Sequence, residues 1–205
     1  MRLPLIATLI GGALAAMFLL ALAETVAAQN VASDIPLAGG GSERVVITIP
    51  ANPTAILVMF AGGDGTVEIG DTGTIYRYGA NFLLRTRPLW LAQGFAVEIL
   101  GAPNNTSLNG QRHTDAYAEA IAHAIDFAQT KTSAPVWLVG TSAGTTGAAN
   151  GAAHLSKVAG LVLTSSVTRQ GSVGETVFDT NLAAITVPVL IVANQNDTCP
   201  VTPAR

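Results

Sequence analysis

The stretch LVGTSAG, residues 138–144, places Ser142 between two glycines in the pattern G-x-S-x-G. The apolar run Val136–Val139 before it is typical of a β-strand. The alanine-rich residues from Ser142 to about Leu155 predict a helix. The serine is therefore expected on a sharp strand-to-helix turn. Glycines suit both flanking positions, Gly140 and Gly144, because a side chain there would clash with the neighbouring strand or helix.

Two interpretations of Ser142 are compatible with this pattern. In the first, the turn presents the hydroxyl as a nucleophile, and the helix N-terminus directs backbone N–H groups at the reacting centre. In the second, Ser142 is an ordinary helix N-cap, a position at which serine is common. The strand before the motif and the helix after it favour the nucleophile.

Apolar strands and helices alternate along the rest of the chain. Predicted strands cover residues 44–49, 55–60, 95–100, 136–139, 161–165 and 189–193, and predicted helices cover residues 80–93, 115 onwards and 142–155. This alternation predicts an α/β fold with a mostly parallel central sheet flanked by helices. We assign residues 43–205 to that one domain.

Local signals refine these elements. Pro50 closes the first strand and suggests an edge position, and Pro88 is expected to interrupt the helix over 80–93. Thr114 can cap a helix that begins at Asp115. The polar segment 167–184 reads either as a short cap over a site or as a loop and a helix.

The N-terminus has the layout of a secretory signal peptide. One cation, Arg2, precedes an uncharged apolar stretch over residues 3–23, and small residues follow. We predict a signal peptide over residues 1–28, which implies export to the periplasm or the exterior and no stable membrane insertion after cleavage. The alternative is an uncleaved anchor, since residues 3–23 approach the length of a bilayer span. Residues 29–42 are small and polar, and predict a flexible lead-in.

Composition excludes several function classes. The net charge is −3 and only 11% of the residues are charged, so we expect no nucleic-acid partner. The glycine-rich residues 62–65 match neither a dinucleotide fingerprint nor a P-loop. His, Cys and carboxylate residues show no metal-ligand spacing, so neither a metal nor another cofactor is expected.

The motif and the order of strands and helices together make the chain after residue 28 resemble the α/β-hydrolase superfamily. This resemblance implies a serine hydrolase that cleaves an ester, thioester or amide bond of a small acyl substrate, an esterase more readily than a peptidase, and the signal segment adds that it is exported. It also implies an oxyanion hole of two backbone N–H groups. One belongs to Ala143, and the other to Gly62 or Gly63 in the loop after the strand 55–60.

By the same resemblance, Asp197 after the strand 189–193 is the acid of a Ser-Asp-His triad. The alternative is a turn aspartate. The histidine should follow Asp197, but His113, His123 and His154 all precede it.

Three explanations of the missing histidine remain open. In the first, which we favour, the chain lacks the last strand and helix of the fold, and the triad histidine lies beyond residue 205. The 205-residue chain alone is then expected to be inactive. In the second, the protein is a pseudo-hydrolase or a non-catalytic binding module. In the third, His113 is the base.

Cys199 is the single cysteine and lies beside the acid loop. In an exported protein, a lone cysteine suggests a disulfide partner in sequence outside these 205 residues. We expect Cys199 to be disulfide-bonded in the natural oxidised protein, as measured by mass spectrometry without reduction. A free thiol at Cys199 would contradict this expectation.

Overall fold

Strands and helices alternate along residues 28–203, the part of the chain that the computed structural model describes. The strands are β1 (Gln29–Pro36), β2 (Ser42–Ile49), β3 (Ala55–Phe60), β4 (Phe95–Leu100), β5 (Val136–Thr141), β6 (Val158–Thr164) and β7 (Val189–Val192). They form one sheet in the order β1-β2-β4-β3-β5-β6-β7. The pairs β1–β2 and β2–β4 are antiparallel, and all other pairs are parallel. The predicted fold class is confirmed.

Helices pack on both faces of this sheet because successive strand residues point to opposite sides. The helices are α1 (Phe82–Ala92), α2 (Asp115–Lys131) and α3 (Gly144–His154). Val58 faces a core that includes apolar residues of α2 and α3, whereas Leu57 faces a second core that includes residues of α1. The sheet is thus the middle of three layers.

Two sequence-based predictions about the start of the domain are wrong. Residues 29–42 are not a flexible lead-in, since β1 pairs along its whole length with β2, from Gln29 opposite Ile49 to Pro36 opposite Ser42. The polar composition of β1 concealed it, because an edge strand exposes much of its surface. β2 is accordingly not an edge strand but lies between β1 and β4.

The local helix signals have mixed outcomes. Thr114 caps α2 as predicted, and its hydroxyl accepts a hydrogen bond from the Tyr117 N–H at 3.3 Å. Pro88 does not interrupt α1, which continues through it to Ala92. Burial of Leu83 against the sheet offsets the one lost backbone hydrogen bond.

The segment 167–184 is a loop with two single-turn 3₁₀ helices, Val177–Asp179 and Leu182–Ala184. No α-helix forms within it. Its buried residues include Val167, Glu175 and Val177, which anchor it against the rest of the domain.

The predicted signal segment lies outside the described residues, apart from its last position. Within residues 28–203, no helix is both long enough and apolar enough to cross a membrane.

β7 forms one edge of the sheet, and its four side chains are between 45% and 69% exposed. On the face that carries α1, an apolar groove of about 610 Å³ runs from α1 to β7. Its walls include Trp90, Trp137 and Leu190. This face is therefore less covered than the one that carries α2 and α3.

Two carboxyl groups are fully buried in the antiparallel half of the sheet. Neither Glu43 on β2 nor Glu98 on β4 has a hydrogen-bond partner among the described residues. Burial raises the pKa of Glu43 to about 8. Burial, together with the nearby Glu43, raises the pKa of Glu98 well above its usual range. Both groups therefore favour the neutral, protonated form in the folded chain.

This pair makes stability depend on pH. Below pH 4.5 Glu43 is neutral in both the folded and unfolded states. As the pH rises from about 4.5 to about 8, the unfolded chain ionises first, so folding stability is lost. At pH 7.5 we expect Glu43→Gln to raise Tm and to increase the free energy of unfolding by up to about 3 kcal/mol. At pH 4 we expect it to leave Tm unchanged.

The measurement is thermal unfolding by circular dichroism at both pH values. Glu119→Gln is the matched control, because Glu119 is an exposed carboxylate on α2. An equal Tm shift for Glu43→Gln at pH 4 and pH 7.5 would refute the buried-charge explanation.

Candidate active site

Ser142 lies on a sharp turn between the end of β5 and the start of α3. Its φ is +54°, a left-handed conformation that costs a non-glycine residue about 1–3 kcal/mol. Hydrogen bonds on both sides hold it there. The Ser142 N–H donates to the Thr164 carbonyl at 3.0 Å, and the Ser142 carbonyl accepts from the Thr145 N–H at 3.0 Å. The turn leaves the Ser142 side chain half-buried at the carboxyl edge of the sheet.

The capping interpretation of Ser142 is wrong. The N-cap position of α3 belongs to Ala143, without a side-chain cap. Thr145 hydrogen-bonds to the Ser142 backbone carbonyl and not to its hydroxyl. The Ser142 hydroxyl forms no hydrogen bond with any other group in residues 28–203.

Both flanking glycines are required by close backbone contacts. A Cβ on Gly144 would lie 2.1 Å from the carbonyl oxygen of Phe60, at the end of β3. A Cβ on Gly140 would lie 2.7 Å from both the Gly144 oxygen and the Thr145 Cα. The first contact is with the neighbouring strand and the second with the following helix, as the motif predicted.

The loop after β3 passes directly beside Ser142. A Cβ on Gly62 would lie 2.9 Å from the Ser142 Cβ and 3.4 Å from its Oγ. Gly63, the next residue, has a φ of +68°. The N–H groups of Gly62, Gly63 and Ala143 donate to no acceptor within the described part of the chain. All three predicted oxyanion donors are therefore unoccupied, and Gly62 is the one whose backbone closely approaches Ser142.

Asp64 anchors the far side of this glycine loop. Its Oδ1 accepts hydrogen bonds from the Thr66 hydroxyl at 2.7 Å and the Tyr78 hydroxyl at 2.9 Å. Its Oδ2 accepts one from Arg77 at 2.9 Å. The bond from the Thr66 side chain leads the interactions that lower the pKa of Asp64 to about 2. Asp64 is therefore a charged structural anchor at neutral pH.

Asp197 follows β7 at the same carboxyl edge as Ser142, because β5, β6 and β7 are parallel. Its Oδ1 accepts from the Cys199 N–H at 2.9 Å, and its Oδ2 from the Thr202 hydroxyl at 3.0 Å. These bonds keep the pKa of Asp197 below its usual value, so the group is a carboxylate. One strand separates β5 from β7, which places the strand ends roughly 10 Å apart at about 4.8 Å per strand. The gap is wide enough for an imidazole ring.

The three histidines do not fill that gap. The Nδ1 of His113 lies 3.1 Å from Glu175 Oε2, and the Nδ1 of His123 lies 3.2 Å from the Pro36 carbonyl. His154 is the last residue of α3, far along the helix from Ser142. None of them hydrogen-bonds to Ser142 or Asp197 within residues 28–203. Among the described residues, the predicted nucleophile lies beside the predicted oxyanion donors, and the predicted acid follows a strand at the same edge of the sheet. No histidine in this part of the chain is bonded to the nucleophile or to the acid.

Arg112 and Glu175 lie next to the glycine loop and were not predicted from the sequence. They form a buried ion pair at 2.9 Å, and Arg112 also donates to the carbonyl of Gly63 at 2.7 Å. The two residues are 63 positions apart, and neither belongs to a motif. The available signal was the presence of charged residues in a chain that has very few.

No group of three or more His, Cys, Asp or Glu side chains in the described residues could hold a metal ion. The single cysteine, Cys199, is exposed and forms no disulfide within residues 28–203, which leaves the expected partner outside these residues untested. The chemistry that this arrangement supports directly is nucleophilic attack by a serine at a carbonyl next to unoccupied backbone donors.

The sequence matches no protein-family model, and no curated protein is significantly similar to it. Solved structures do resemble it. A lidless α/β serine hydrolase from Xanthomonas campestris superposes with a TM-score of 0.60 and 14% identity, over 86% of this chain and 75% of that one. A cold-adapted esterase from an Arctic intertidal metagenomic library superposes with a TM-score of 0.58 and 17% identity, over 85% of this chain and 74% of that one. An α/β serine hydrolase homologue from Coxiella burnetii superposes with a TM-score of 0.59 and 18% identity, over 86% of this chain and 78% of that one. The chain has the α/β-hydrolase fold.

The contact between the turn and β3 generates a prediction. Gly144→Ala inserts a Cβ against the Phe60 backbone, which cannot move aside as a flexible side chain could. We expect a loss of about 2 kcal/mol or more in unfolding free energy, measured by urea denaturation. Gly39→Ala is the control, since a Cβ there meets no atom within 4 Å. Equal stabilities for the two variants would show that the turn does not pack as described.

Proposed function

We propose that this protein is an exported serine hydrolase that cleaves an ester, thioester or amide bond through Ser142. The observation that carries the proposal is the left-handed turn at Ser142, which lies beside backbone donors that have no acceptor. A strained serine with a free hydroxyl at the carboxyl edge of an α/β sheet has a clear use as a nucleophile. The fold, shared with serine hydrolases, supports the same conclusion.

In the proposed mechanism, Ser142 Oγ attacks the substrate carbonyl carbon while a histidine accepts the hydroxyl proton. The negative charge that develops on the carbonyl oxygen is stabilised by the N–H of Ala143 and by that of Gly62 or Gly63. The histidine then protonates the leaving group, and an acyl-Ser142 intermediate forms. Water, deprotonated by the same histidine, attacks the acyl group and releases the acid.

Asp197 is the proposed acid that orients this histidine and stabilises its charged form. Its carboxylate is already held in place by two hydrogen bonds and remains ionised at neutral pH. The gap between the ends of β5 and β7 supports a histidine that lies between Ser142 and Asp197.

We place that histidine beyond residue 205. The chain order Ser, Asp, His of α/β-hydrolases supports this position. The contacts of His113, His123 and His154 with other partners support it as well. Sequencing the coding DNA past codon 205 tests it directly. An open frame that encodes a histidine in a loop agrees with the proposal, and a stop codon directly after Arg205 contradicts it.

The proposed substrate is a small acyl compound, and an ester before a peptide. The segment 167–184 forms a loop and not a helical cap. Support for an ester comes from the fold, because one of the structurally similar proteins is an esterase. The signal-like segment 1–28 supports export, and we propose no nucleic-acid partner and no stable membrane insertion.

A second candidate is a non-catalytic binding module on the same fold. One observation favours it: no histidine of residues 28–203 forms a hydrogen bond with Ser142 or Asp197. In such a module the serine would be unreactive even in the complete protein. A third candidate uses His113 as the base, with its Nδ1 directed at Glu175.

Labelling with a fluorophosphonate probe and hydrolysis of p-nitrophenyl acetate separate these candidates. We expect Ser142→Ala to abolish labelling and to lower kcat about 10³-fold or more in the complete protein. Asp197→Asn should lower kcat strongly, whereas His113→Ala should leave most of the activity.

Each rival has its own result in these assays. No labelling of the complete wild-type protein would support the binding module and refute the hydrolase. Loss of activity in His113→Ala, at an unchanged Tm, would transfer the role of the base to His113.

A further inference from the structure

Arg112 and Glu175 form an ion pair in the interior, behind the glycine loop that flanks Ser142. Both side chains are fully buried. Arg112 Nη1 donates to Glu175 Oε1 at 2.9 Å, and the backbone N–H of Arg112 donates to Glu175 Oε2 at 2.9 Å. One carboxylate therefore binds both the side chain and the main chain of the same arginine, which fixes the position of the guanidinium.

The remaining donors of Arg112 reach two backbone carbonyls. Nη2 donates to the Gly63 carbonyl at 2.7 Å, and Nη1 donates to the Leu108 carbonyl at 3.3 Å. The guanidinium also packs closely on the loop, because a Cβ on Gly65 would lie 3.0 Å from Nη2. Arg112 thus joins the glycine loop to the chain before α2 and, through Glu175, to the segment 167–184.

The bond to Gly63 restrains the peptide unit that directly follows the predicted donors. The carbonyl of Gly63 points towards Arg112, while the N–H of Asp64 in the same peptide unit faces the Tyr78 hydroxyl at 3.4 Å. This peptide unit is held from both sides. Gly63 has a left-handed backbone conformation, which a glycine can leave easily. The hydrogen bond to its carbonyl therefore restricts rotation about the Gly63 backbone. The two preceding peptide units carry the N–H groups of Gly63 and Gly62.

Stability alone is a poor reason for such a pair. Desolvation of two buried charges often cancels their attraction, and apolar replacements of similar size are frequently neutral or stabilising. A buried arginine whose shortest bond is to the oxyanion loop is better explained by positioning.

We propose that Arg112 and Glu175 are positioning residues that hold the glycine loop 61–65 in its donor geometry beside Ser142. This inference rests on the proposed function, since it assigns to that loop the role of an oxyanion hole. Neither residue contacts the substrate in this proposal. They act through the Gly63 carbonyl.

The test is the double variant Arg112→Met/Glu175→Leu in the complete protein. It replaces the ion pair with apolar side chains of similar size, so we expect a Tm within a few degrees of wild type. For p-nitrophenyl acetate we expect kcat to fall about 100-fold, the effect of a displaced oxyanion donor, with KM changed less than threefold. Amide hydrogen exchange of peptides that cover residues 60–66 should become faster.

Two further variants sharpen the test. Lys157→Met/Asp126→Leu removes an exposed ion pair far from the loop, and should leave kcat and the exchange of residues 60–66 unchanged. If the double variant at Arg112 and Glu175 does not fold, Arg112→Lys replaces it, because lysine keeps a positive charge beside Glu175 but lacks the planar fork that binds both Glu175 and the Gly63 carbonyl. We then expect about a tenfold loss in kcat at a near-native Tm.

A folded variant with wild-type kcat and wild-type exchange over residues 60–66 would overturn the proposal. A loss of kcat that is fully explained by the fraction of unfolded protein would also overturn the proposal. Failure of the hydrolase proposal looks different: the wild-type protein would show no Ser142-dependent hydrolysis. Hydrogen exchange would still decide, in that case, whether the pair orders the loop.

Discussion

The close approach of two backbones, at Gly144 and at the end of β3, is the constraint on which the site depends. The Phe60 carbonyl occupies the place where a side chain of residue 144 would be. This contact brings the Ser142 turn against the loop that follows β3, so that the proposed nucleophile and the proposed backbone donors lie side by side. The same contact requires glycine at 144 and allows α3 to begin directly under β5 and β3.

The parallel half of the sheet was the most predictable part of the fold. β3 and β4 were found at their observed bounds, because strands buried on both faces are mostly apolar runs; β3 is continuous, and β4 is interrupted only by Glu98. The start of α2 followed from the Thr114 cap. β1 was missed since an edge strand depends on its partner and carries little pattern of its own. Pro88 misled because tertiary packing of α1 outweighed a local preference.

The candidate site divides in the same way. Ser142 and its glycines could be identified because a tight turn imposes its residues at fixed spacing. Asp197 was placed by strand order alone. Arg112 and Glu175 could not be found, since a pair separated by 63 positions is created by the fold and leaves no local periodicity. The buried carboxyls of Glu43 and Glu98 were hidden for a related reason: a glutamate in a strand normally indicates an exposed side.

The positive φ of Ser142 also restricts which residues evolution can place there. Threonine shares the hydroxyl chemistry of serine, but its branched Cβ is poorly tolerated in a left-handed turn. Cysteine or aspartate, unbranched at Cβ, fits the same backbone more easily. At this proposed nucleophile position, the backbone conformation therefore favours side chains that are unbranched at Cβ. Replacement of Ser142 by cysteine or aspartate is structurally easier than replacement by threonine, although threonine has the more similar hydroxyl chemistry.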